Sequence, residues 1–418
     1  MNQTPQQDAD LHWSAGDVSH VPYRIFSDPR LFQQEQERIF RGPTWSYVGL
    51  AAEIPNEGDY KTTHIGEVPV ILSRDRDGGI HVLINRCAHR GALVLREAFG
   101  TKKRYNCVYH QWGYDPNGDL KAVPLKSGAG DGGGYGENFC LADHGLKKLR
   151  VATFNGLVFA TFRDDTPLLR EYLGEVAPHV ARVFDGRPLE VLGYLRQLVK
   201  ANWKLYFENT KDPYHASLLH LFHATFGLYR STMKGDLFAE RSGVGVLIAH
   251  GGTDEAKKAQ YEKEEIATYK KNYALKEPAL LNIDWEYGDR VTNSIQTIFP
   301  SLVNHQIGNT VATRHVIPRA VDKFELIWTF VGYADDSPEL REKRLLQANL
   351  VGPSGYISLE DVEALEIVQR AIQGGENEAS FVQMGGDTAP FAEQPIHNLM
   401  SEAMIRGFWH TWRDLMGV

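Results

Sequence analysis

The sequence predicts an α+β fold made of two parts. Runs of β-branched and aromatic residues broken by short turns dominate residues 43–165, whereas helical patterns alternate with strand-like runs over residues 166–418. The length of 418 residues supports this division, because an average domain has roughly 150 residues. We predict a β-rich domain over 43–165 and an α+β domain over 166–418, which also includes the arm and helix of residues 1–42.

The predicted elements follow from local patterns. Strand-like runs at 68–73 and 80–84 flank the turn residues 77–79, and Asn155-Gly156 marks a second hairpin. Ser337 and Pro338 are typical of a helix start. The second part is further predicted to hold strands at 188–200 and 291–333 and helices at 201–223, 254–273, 358–372 and 402–416.

Composition excludes several classes of protein. The 53 acidic and 45 basic residues give a net charge of −8, so the chain lacks the basic field that recruits nucleic acid. No apolar run approaches the roughly 20 residues that span a membrane. The N-terminus has no secretion signal, so we expect a cytoplasmic location. Three cysteines are too few for a disulfide framework and direct attention to metal binding.

One glycine-rich segment imitates a nucleotide-binding motif. Residues 128–133 match GxGxxG, but no strand precedes them and no helix follows. We therefore predict a loop there.

Two segments of the β-rich domain each carry one cysteine and one histidine. Cys87 and His89 form a CxH pair, and Cys107 and His110 form a CxxH pair. Such a set suits a structural zinc, or a two-iron cluster with two thiolates on one iron and two imidazoles on the other. Because zinc fingers usually pair their cysteines in one knuckle, the spacing favours the cluster. Cys140 lies outside the pattern and is predicted to be an ordinary thiol.

A second histidine pair lies in the α+β domain. His215 and His220 are five residues apart, which separates them by about 140° on an ideal helix. Both imidazoles could face one ion only if the helix is distorted there. The pair alone is more typical of core or surface histidines than of ligands, and His223 is a further candidate.

The segments CAHRGA (87–92), CVYHQWGYDPNGDL (107–120) and KDPYHASLLH (211–220) resemble the Rieske aromatic-ring-hydroxylating oxygenases, large (alpha) subunit. The resemblance extends from about Val21 to Met416. It implies a Rieske [2Fe–2S] domain and a catalytic domain of the helix-grip type with an antiparallel sheet. It also implies cluster ligands and a mononuclear Fe(II) bound by two histidines and a carboxylate. The implied cluster ligands are Cys87, His89, Cys107 and His110, and the implied Fe(II) ligands are His215, His220 and Asp361.

The resemblance also implies roles around the mononuclear iron. The carboxylate ligand falls on Asp361, although spacing alone leaves Glu360 and Glu363 open, and an acidic residue also suits a helix N-terminus. Asp212 would connect His215 to His110 of the partner subunit for electron transfer. Asn209 would lie near the open side of the iron, with helix packing as the alternative.

The resemblance is greatest to family members that act on aromatic carboxylates. Arg314 and Arg406 match arginines that are candidates to bind a substrate carboxylate, although a structural ion pair is the ordinary role of such residues. Gly308 and Asn304 are expected to enlarge or repolarise the pocket. The predicted substrate is an anthranilate-type acid, with salicylate-type, terephthalate-type and bicyclic acids such as indole-3-acetate as alternatives.

The predicted function is that of a terminal oxygenase subunit. It would use dioxygen and electrons from an NADH-fed flavin reductase or ferredoxin, and it would assemble with a small β subunit as α₃β₃. A Rieske electron carrier and a zinc-stabilised binding protein are the non-enzymatic alternatives.

Overall fold

The computed structural model describes residues 11, 13–14, 16–251, 255–375, 377–386, 389, 391 and 394–418. Within them the chain forms two compact units. The small unit is Arg41–Leu169, and the large unit combines the residues up to Phe40 with Arg170–Val418. The boundaries predicted from the sequence lie after residues 42 and 165.

The strands are β1 His20–Pro22, β2 Ser46–Leu50, β3 Asp59–Ile65, β4 Val68–Arg74, β5 Ile80–Ile84, β6 Phe99–Thr101, β7 Tyr105–Asn106, β8 Gly113–Tyr114, β9 Leu120–Ala122, β10 Arg150–Phe154, β11 Leu157–Thr161, β12 Leu189–Val199, β13 Gly235–Ala239, β14 Gly245–His250, β15 Val291–Ile298, β16 Leu302–Ile307, β17 Thr310–Ala320, β18 Lys323–Tyr333 and β19 Ala379–Phe381. The helices are α1 Pro29–Glu35, α2 Leu169–Leu173, α3 Ala177–Val183, α4 Trp203–Thr210, α5 Ala216–Leu219, α6 Leu221–Phe226, α7 Glu255–Lys263, α8 Pro338–Val351, α9 Tyr356–Ala371 and α10 Ala403–Met416.

The small unit is built from antiparallel sheets. Their strand orders are β10-β11-β2, β5-β4-β3-β6 and β7-β8-β9. Both predicted hairpins form. In the second, Asn155 and Gly156 have φ values of 47° and 91°, the left-handed backbone that a tight two-residue hairpin turn needs. Buried aromatic residues, including Tyr105, Trp112 and Tyr114, surround the two cysteines of the metal pattern.

The large unit is organised around one seven-stranded antiparallel sheet. The strand order is β12-β18-β17-β16-β15-β14-β13. Helix α4 packs against β15 and β17 and also contacts α9 and α10, while α8 packs on β17 and β18. The predicted α+β class with an antiparallel sheet is confirmed.

A buried ion pair anchors α4, the helix that leads into the candidate metal site. Lys204 Nζ lies 2.7 Å from Glu35 Oε1 at the end of α1. Trp203 and Trp412 each donate an indole hydrogen bond of 2.9 Å to the same carboxylate. The Glu35 carboxylate therefore joins α1 to α4 and α10. Removing one charged partner would leave the other charge buried and unpaired, which is strongly destabilising.

The predicted helices form, with differences at their ends and one division: the helix predicted over 201–223 is split into α4, α5 and α6. Ser337 caps α8, accepting a hydrogen bond of 3.2 Å from the Leu340 N–H, as predicted. The helix predicted within residues 1–42 is α-helical from Pro29 to Glu35 and continues as a π-helical turn to Phe40. The charged helix predicted over 254–273 is wrong in length. α7 ends at Lys263, and the positive φ of Glu265 lies outside the helical region; residue 254 lies outside the described residues.

The glycine-rich segment 128–133 forms turns between β9 and the short 3₁₀ helix Leu141–His144, as predicted for a loop. In the part of the chain that the structure describes, no helix is both long enough and apolar enough to cross a bilayer.

Candidate functional site

Two loops of the small unit present the Cys/His pattern with the same backbone hydrogen bonds. The Cys87 N–H donates to the Ala92 carbonyl (2.8 Å), and the Gly91 N–H donates back to the Cys87 carbonyl (2.9 Å). The second loop repeats both bonds between Cys107 and residues 111 and 112, at 2.8 and 2.9 Å. The fourth residue after each cysteine, Gly91 or Gln111, has positive φ. The two loops are therefore equivalent supports for one thiol and one imidazole each.

The four side chains of these loops differ in exposure. Cys87 and Cys107 are buried, His89 is half-buried and His110 is exposed. The two imidazole rings lie 4.5 Å apart, and His89 stacks on Trp112 at 4.9 Å. His89 Nδ1 is buried without a hydrogen-bond partner, which fits a ligand atom of a metal group. The donor set fits a cluster with thiolates inside and imidazoles at the surface.

Electrostatics near the first centre disfavour charge without a metal. Burial raises the pKa of the Cys87 thiol, and the adjacent Cys107 raises it further, although the hydrogen bond from Tyr114 acts in the opposite direction. Burial lowers the pKa of His89, with His110 and Arg90 adding to the effect. A bound cation would supply the charge that stabilises both thiolates.

The second histidine pair straddles a break in the helix. His215 immediately precedes α5, which ends after Leu219, and His220 has an extended backbone (φ −88°, ψ 105°) before α6 begins. The distortion that the five-residue spacing demands is therefore an interruption. It brings His215 Nε2 and His220 Nε2 to 3.3 and 3.2 Å from Asp361 Oδ1 on α9.

These three residues form a group that could hold a metal ion. Their potential ligand atoms lie within 4.8 Å of one another, and His220 and Asp361 are buried. Of the alternatives, Glu363 is exposed and lies outside the group. Glu360 is also outside it and instead accepts a hydrogen bond of 2.8 Å from His220 Nδ1.

Each imidazole of the group has a carboxylate on its far side. The His220–Glu360 contact is an aligned hydrogen bond, whereas His215 Nδ1 lies 3.1 Å from Asp212 Oδ2 without hydrogen-bond alignment. A carboxylate behind a histidine ligand fixes its tautomer and raises its basicity. The structure thus gives Glu360 a supporting position rather than a ligand position.

The charges of the group are strongly coupled. Burial would raise the pKa of Asp361, but the His220 and His215 imidazoles outweigh it and hold that pKa well below its usual range. Burial would lower the pKa of His215, yet Asp212 and Asp361 raise it to about 10. The carboxylates therefore stabilise positive charge at this point of the fold, as a divalent cation requires.

Asn209 and His223 both face this group. Asn209 Nδ2 donates a hydrogen bond of 3.0 Å to Asp361 Oδ1 and lies 3.3 Å from His215 Nε2. His223 is buried 5.1 Å from the His220 ring, and burial, with the neighbouring His220, lowers its pKa well below the usual value. His223 lies in the cavity wall outside the metal-binding group, and its lowered pKa keeps the ring neutral.

A cavity of about 70 Å³ adjoins the metal-binding group. Arg314 and Trp328 lie in its wall, and its apolar lining comes from Ala216, Tyr229, Leu247, Ile295, Ile307, Val351 and Ile357. An apolar pocket with a few convergent polar groups is typical of a small-molecule site. Arg314 therefore lies in the wall of such a pocket, beside the metal-binding group.

The other three predicted substrate residues lie outside the wall of this cavity. Arg406 donates hydrogen bonds to the carbonyls of Val382 and Gly386 at 3.1 and 3.0 Å, so its guanidinium binds backbone. Gly308 occupies the β16–β17 turn with φ +57°, and a Cβ there would come 2.7 Å from Gln347. Asn304 is fully buried in β16. The structure therefore places all three away from this cavity wall, and it gives Arg406 and Gly308 local structural roles.

Sequence reasoning missed the residues around Arg314. His305, Tyr206 and Trp328 contact its guanidinium, and they come from β16, α4 and β18. No short motif links such distant positions. Strand register places His305 and Trp328 beside Arg314, and the packing of α4 on β17 adds Tyr206.

A domain whose thiols and imidazoles suit a two-iron cluster accompanies a buried set of two imidazoles and a carboxylate. Together they define a Rieske-type non-haem iron oxygenase. Comparisons agree. Residues 44–145 match the Rieske [2Fe-2S] domain, and residues 173–417 match the ring hydroxylating alpha subunit (catalytic domain). The chain belongs to the family of ring-hydroxylating oxygenase alpha subunits, oxidoreductases that receive electrons through a reductase or ferredoxin.

Several relatives match over nearly their whole length. Identity is 45% to the anthranilate 1,2-dioxygenase large subunit of Burkholderia cepacia, covering 98% of this chain and 96% of the relative. It is 43% to a terephthalate 1,2-dioxygenase alpha subunit of Comamonas sp, covering 98% of both chains. Naphthalene 1,2-dioxygenase from Rhodococcus sp., solved with indole bound, superposes with a TM-score of 0.79 at 25% identity, covering 95% of this chain and 94% of that one.

Proposed function

We propose that this chain oxygenates a single-ring aromatic carboxylic acid of the anthranilate type, and that Arg314 binds the substrate carboxylate. The observation that carries the proposal is a buried guanidinium in the cavity wall beside the candidate metal-binding group. A protein with a net charge of −8 repels an organic anion at long range, so its pocket needs a local cation. Arginine supplies paired, charge-assisted hydrogen bonds to a carboxylate.

We propose Cys87, His89, Cys107 and His110 as the ligands of the [2Fe–2S] cluster, and His215, His220 and Asp361 as the ligands of Fe(II). Bound iron would supply dioxygen activation beside the ring. The protein residues position the ring against the apolar wall, hold its carboxylate, and keep bulk water out of the cavity.

Asp212 and Asn209 have proposed roles around that centre. Asp212 would connect His215 to His110 of the partner subunit, because its Oδ2 lies 3.1 Å from His215 Nδ1, while the other nitrogen of that ring faces Asp361. Asn209 would orient the Asp361 carboxylate, to which it donates a hydrogen bond.

The size of the cavity favours one ring over two. Its volume of about 70 Å³ is less than the roughly 150 Å³ of an apolar cavity known to admit benzene. Lining side chains must therefore move even for a single ring. A bicyclic acid such as indole-3-acetate would require a larger displacement.

The proposed assembly includes a small β subunit, as α₃β₃, with electrons from NADH through a flavin reductase or ferredoxin. We also propose a cytoplasmic location, because a reducing compartment keeps cysteines available as metal ligands. Size-exclusion chromatography of the co-expressed subunits tests the assembly.

Turnover with ¹⁸O₂ tests the function. The panel contains anthranilate, salicylate, terephthalate, benzoate and indole-3-acetate, with a surrogate reductase and mass spectrometry of the products. Two labels in a single-ring acid support a dioxygenase, and one label indicates a salicylate-type hydroxylation. Turnover of indole-3-acetate alone would contradict the single-ring assignment, and no turnover with both metals bound would overturn the carboxylate assignment.

A matched pair of variants tests the arginine. Arg314→Met should raise KM for the accepted acid by about tenfold to a hundredfold, the loss expected for a charged hydrogen bond. Arg406→Met is the control, because it removes contacts to backbone carbonyls and should lower the thermal midpoint without changing KM. Equal KM effects would contradict the assignment.

A further inference from the structure

The guanidinium of Arg314 is buried among neutral groups. The residue is 6% exposed, and no Asp or Glu of the described chain lies within ion-pair distance. Its neighbours are the His305 imidazole, the Tyr206 hydroxyl and the face of Trp328, 4.6 Å from Arg314 Cζ. A buried charge without a counter-ion is unfavourable unless a ligand supplies the opposite charge.

The two hydrogen bonds use only part of the guanidinium. Nε donates to His305 Nδ1 at 2.8 Å, and Nη1 donates to the Tyr206 hydroxyl at 3.0 Å. A guanidinium has five N–H groups in a planar fork, so both N–H groups of Nη2 remain for another acceptor. Because Nε and Nη1 are held, the plane of the fork is fixed.

Strand register explains how these groups meet. Arg314 in β17 lies opposite Trp328 in β18 and opposite Val303 in β16. His305 is two residues beyond Val303, so it lies on the same face of β16 and diagonal to Arg314. Central strands of a seven-stranded sheet hold the arrangement, which favours a rigid site over a mobile one.

His305 accepts the Arg314 Nε hydrogen bond at a position where an acidic side chain could also accept it. It is fully buried, and burial together with the Arg314 charge lowers its pKa well below the usual value. Its Nδ1 therefore accepts the Arg314 hydrogen bond as part of a neutral ring. A carboxylate at this point would hold the guanidinium equally well but would neutralise it.

We infer that His305 is a positioning residue for the anionic substrate: it orients the Arg314 guanidinium toward the cavity without cancelling its charge. This inference rests on the proposed function, since it concerns how the carboxylate is recognised. His305 would thus favour an ionised acid over its neutral analogue, although it lies outside the cavity wall.

The test compares one ligand pair across four variants and the wild-type protein. The probes are anthranilate and methyl anthranilate, which differ by the negative charge, and the readout is Kd by calorimetry on the complete, metal-loaded oxygenase. His305→Asn keeps an acceptor at the Nδ1 position, His305→Ala removes it, and His305→Asp adds a negative charge. Arg314→Met is the fourth variant, and wild type is the reference.

The expected result is a selective loss. His305→Ala should weaken anthranilate binding about tenfold and leave the ester unchanged, as for a lost contact to a charged group. His305→Asp should weaken anthranilate binding about a hundredfold, to the level of Arg314→Met, whereas His305→Asn should keep the wild-type ratio. A merely structural role would shift both ligands together and would not distinguish Asn from Asp.

Two failures are distinguishable. If wild type and Arg314→Met bind acid and ester in the same ratio, the proposed carboxylate site is wrong, and the inference falls with it. If that ratio depends on Arg314 but His305→Asp retains the wild-type value, only the inference is overturned. Should His305→Ala fold poorly, the Asn and Asp variants, which are nearly the same size, decide the question.

Discussion

The two candidate metal centres both include histidines, but they differ in the burial and in the support of those histidines. In the small unit, two equivalent loops bury the thiols and leave His110 exposed. In the large unit, His220 and Asp361 are buried, and a further carboxylate lies behind each imidazole. A centre that relays electrons needs ligands near the surface, whereas a centre that activates oxygen needs ligands held by further hydrogen bonds in a cavity that excludes water.

The largest expected effect separates the two centres completely. Cys87→Ser should abolish the visible absorption of the cluster, because a thiolate ligand is lost, while iron at the second centre remains. Absorption spectroscopy and iron analysis measure both. Cys140→Ser is the matched control, since that thiol is exposed and outside the pattern. Equal spectra for the two variants would refute the cluster assignment.

The reciprocal change removes the second centre alone. Asp361→Ala should lose the mononuclear iron and all turnover, with cluster absorption retained, because the carboxylate contacting both imidazoles is gone. Glu363→Ala, an exposed neighbour on the same helix, should keep both. Iron stoichiometry after desalting is the measurement, and full iron in the Asp361 variant would move the ligand elsewhere.

A smaller effect tests the support behind the histidines. Glu360→Ala should weaken Fe(II) affinity about tenfold to a hundredfold, the usual cost of losing a carboxylate that orients a histidine ligand. Glu360→Gln keeps an acceptor and should lose less. Metal titration with a competing chelator gives the affinities. If Glu360→Ala loses its iron completely and the Asp361 variant does not, Glu360 is itself a ligand.

The smallest effect on the two metal centres is expected from a buried lysine of the large unit, which acts on stability instead. Lys211 donates to the Gly243 carbonyl at 3.0 Å, and burial lowers its pKa from 10.5 to about 7. Between pH 7 and 10.5 the unfolded chain binds more protons at this residue, so its contribution to stability rises with pH by about 1.4 kcal/mol per unit. Below pH 7 the full penalty of the buried charge remains.

Lys211→Met removes this titration. The variant's gain in thermal midpoint over wild type should be largest at pH 6 and should shrink toward pH 9. Far-UV circular dichroism follows the whole chain, and cluster absorption follows the small unit, where no change is expected. A constant difference between pH 6 and pH 9 would contradict the assigned pKa.

The first centre could be predicted from sequence because all four candidate ligands lie within 24 residues and repeat one local pattern. For the second, the five-residue spacing of His215 and His220 correctly indicated a helix distortion, but nothing local identified Asp361. The assignment of the carboxylate ligand to Asp361 came from the family resemblance alone. The structure then separated it from Glu360, which spacing could not do.

The substrate side was the least predictable part. Arg314 was expected at the pocket, but Arg406, Gly308 and Asn304 were expected there too, and the structure places them elsewhere. An arginine that binds backbone carbonyls cannot be told from one facing a cavity by residue type. Strand register decides which residues meet, and register depends on pairings across the whole sheet.

The placement of Arg314, His305 and Trp328 on paired strands has a consequence for how this protein could diverge. The candidate iron ligands come from helices and the breaks between them, whereas the proposed anion-binding residue, Arg314, belongs to the sheet. Substitutions on β16–β18 can therefore change which molecule is accepted without altering the iron ligands. Evolution, or an engineer, can revise selectivity and chemistry in separate steps.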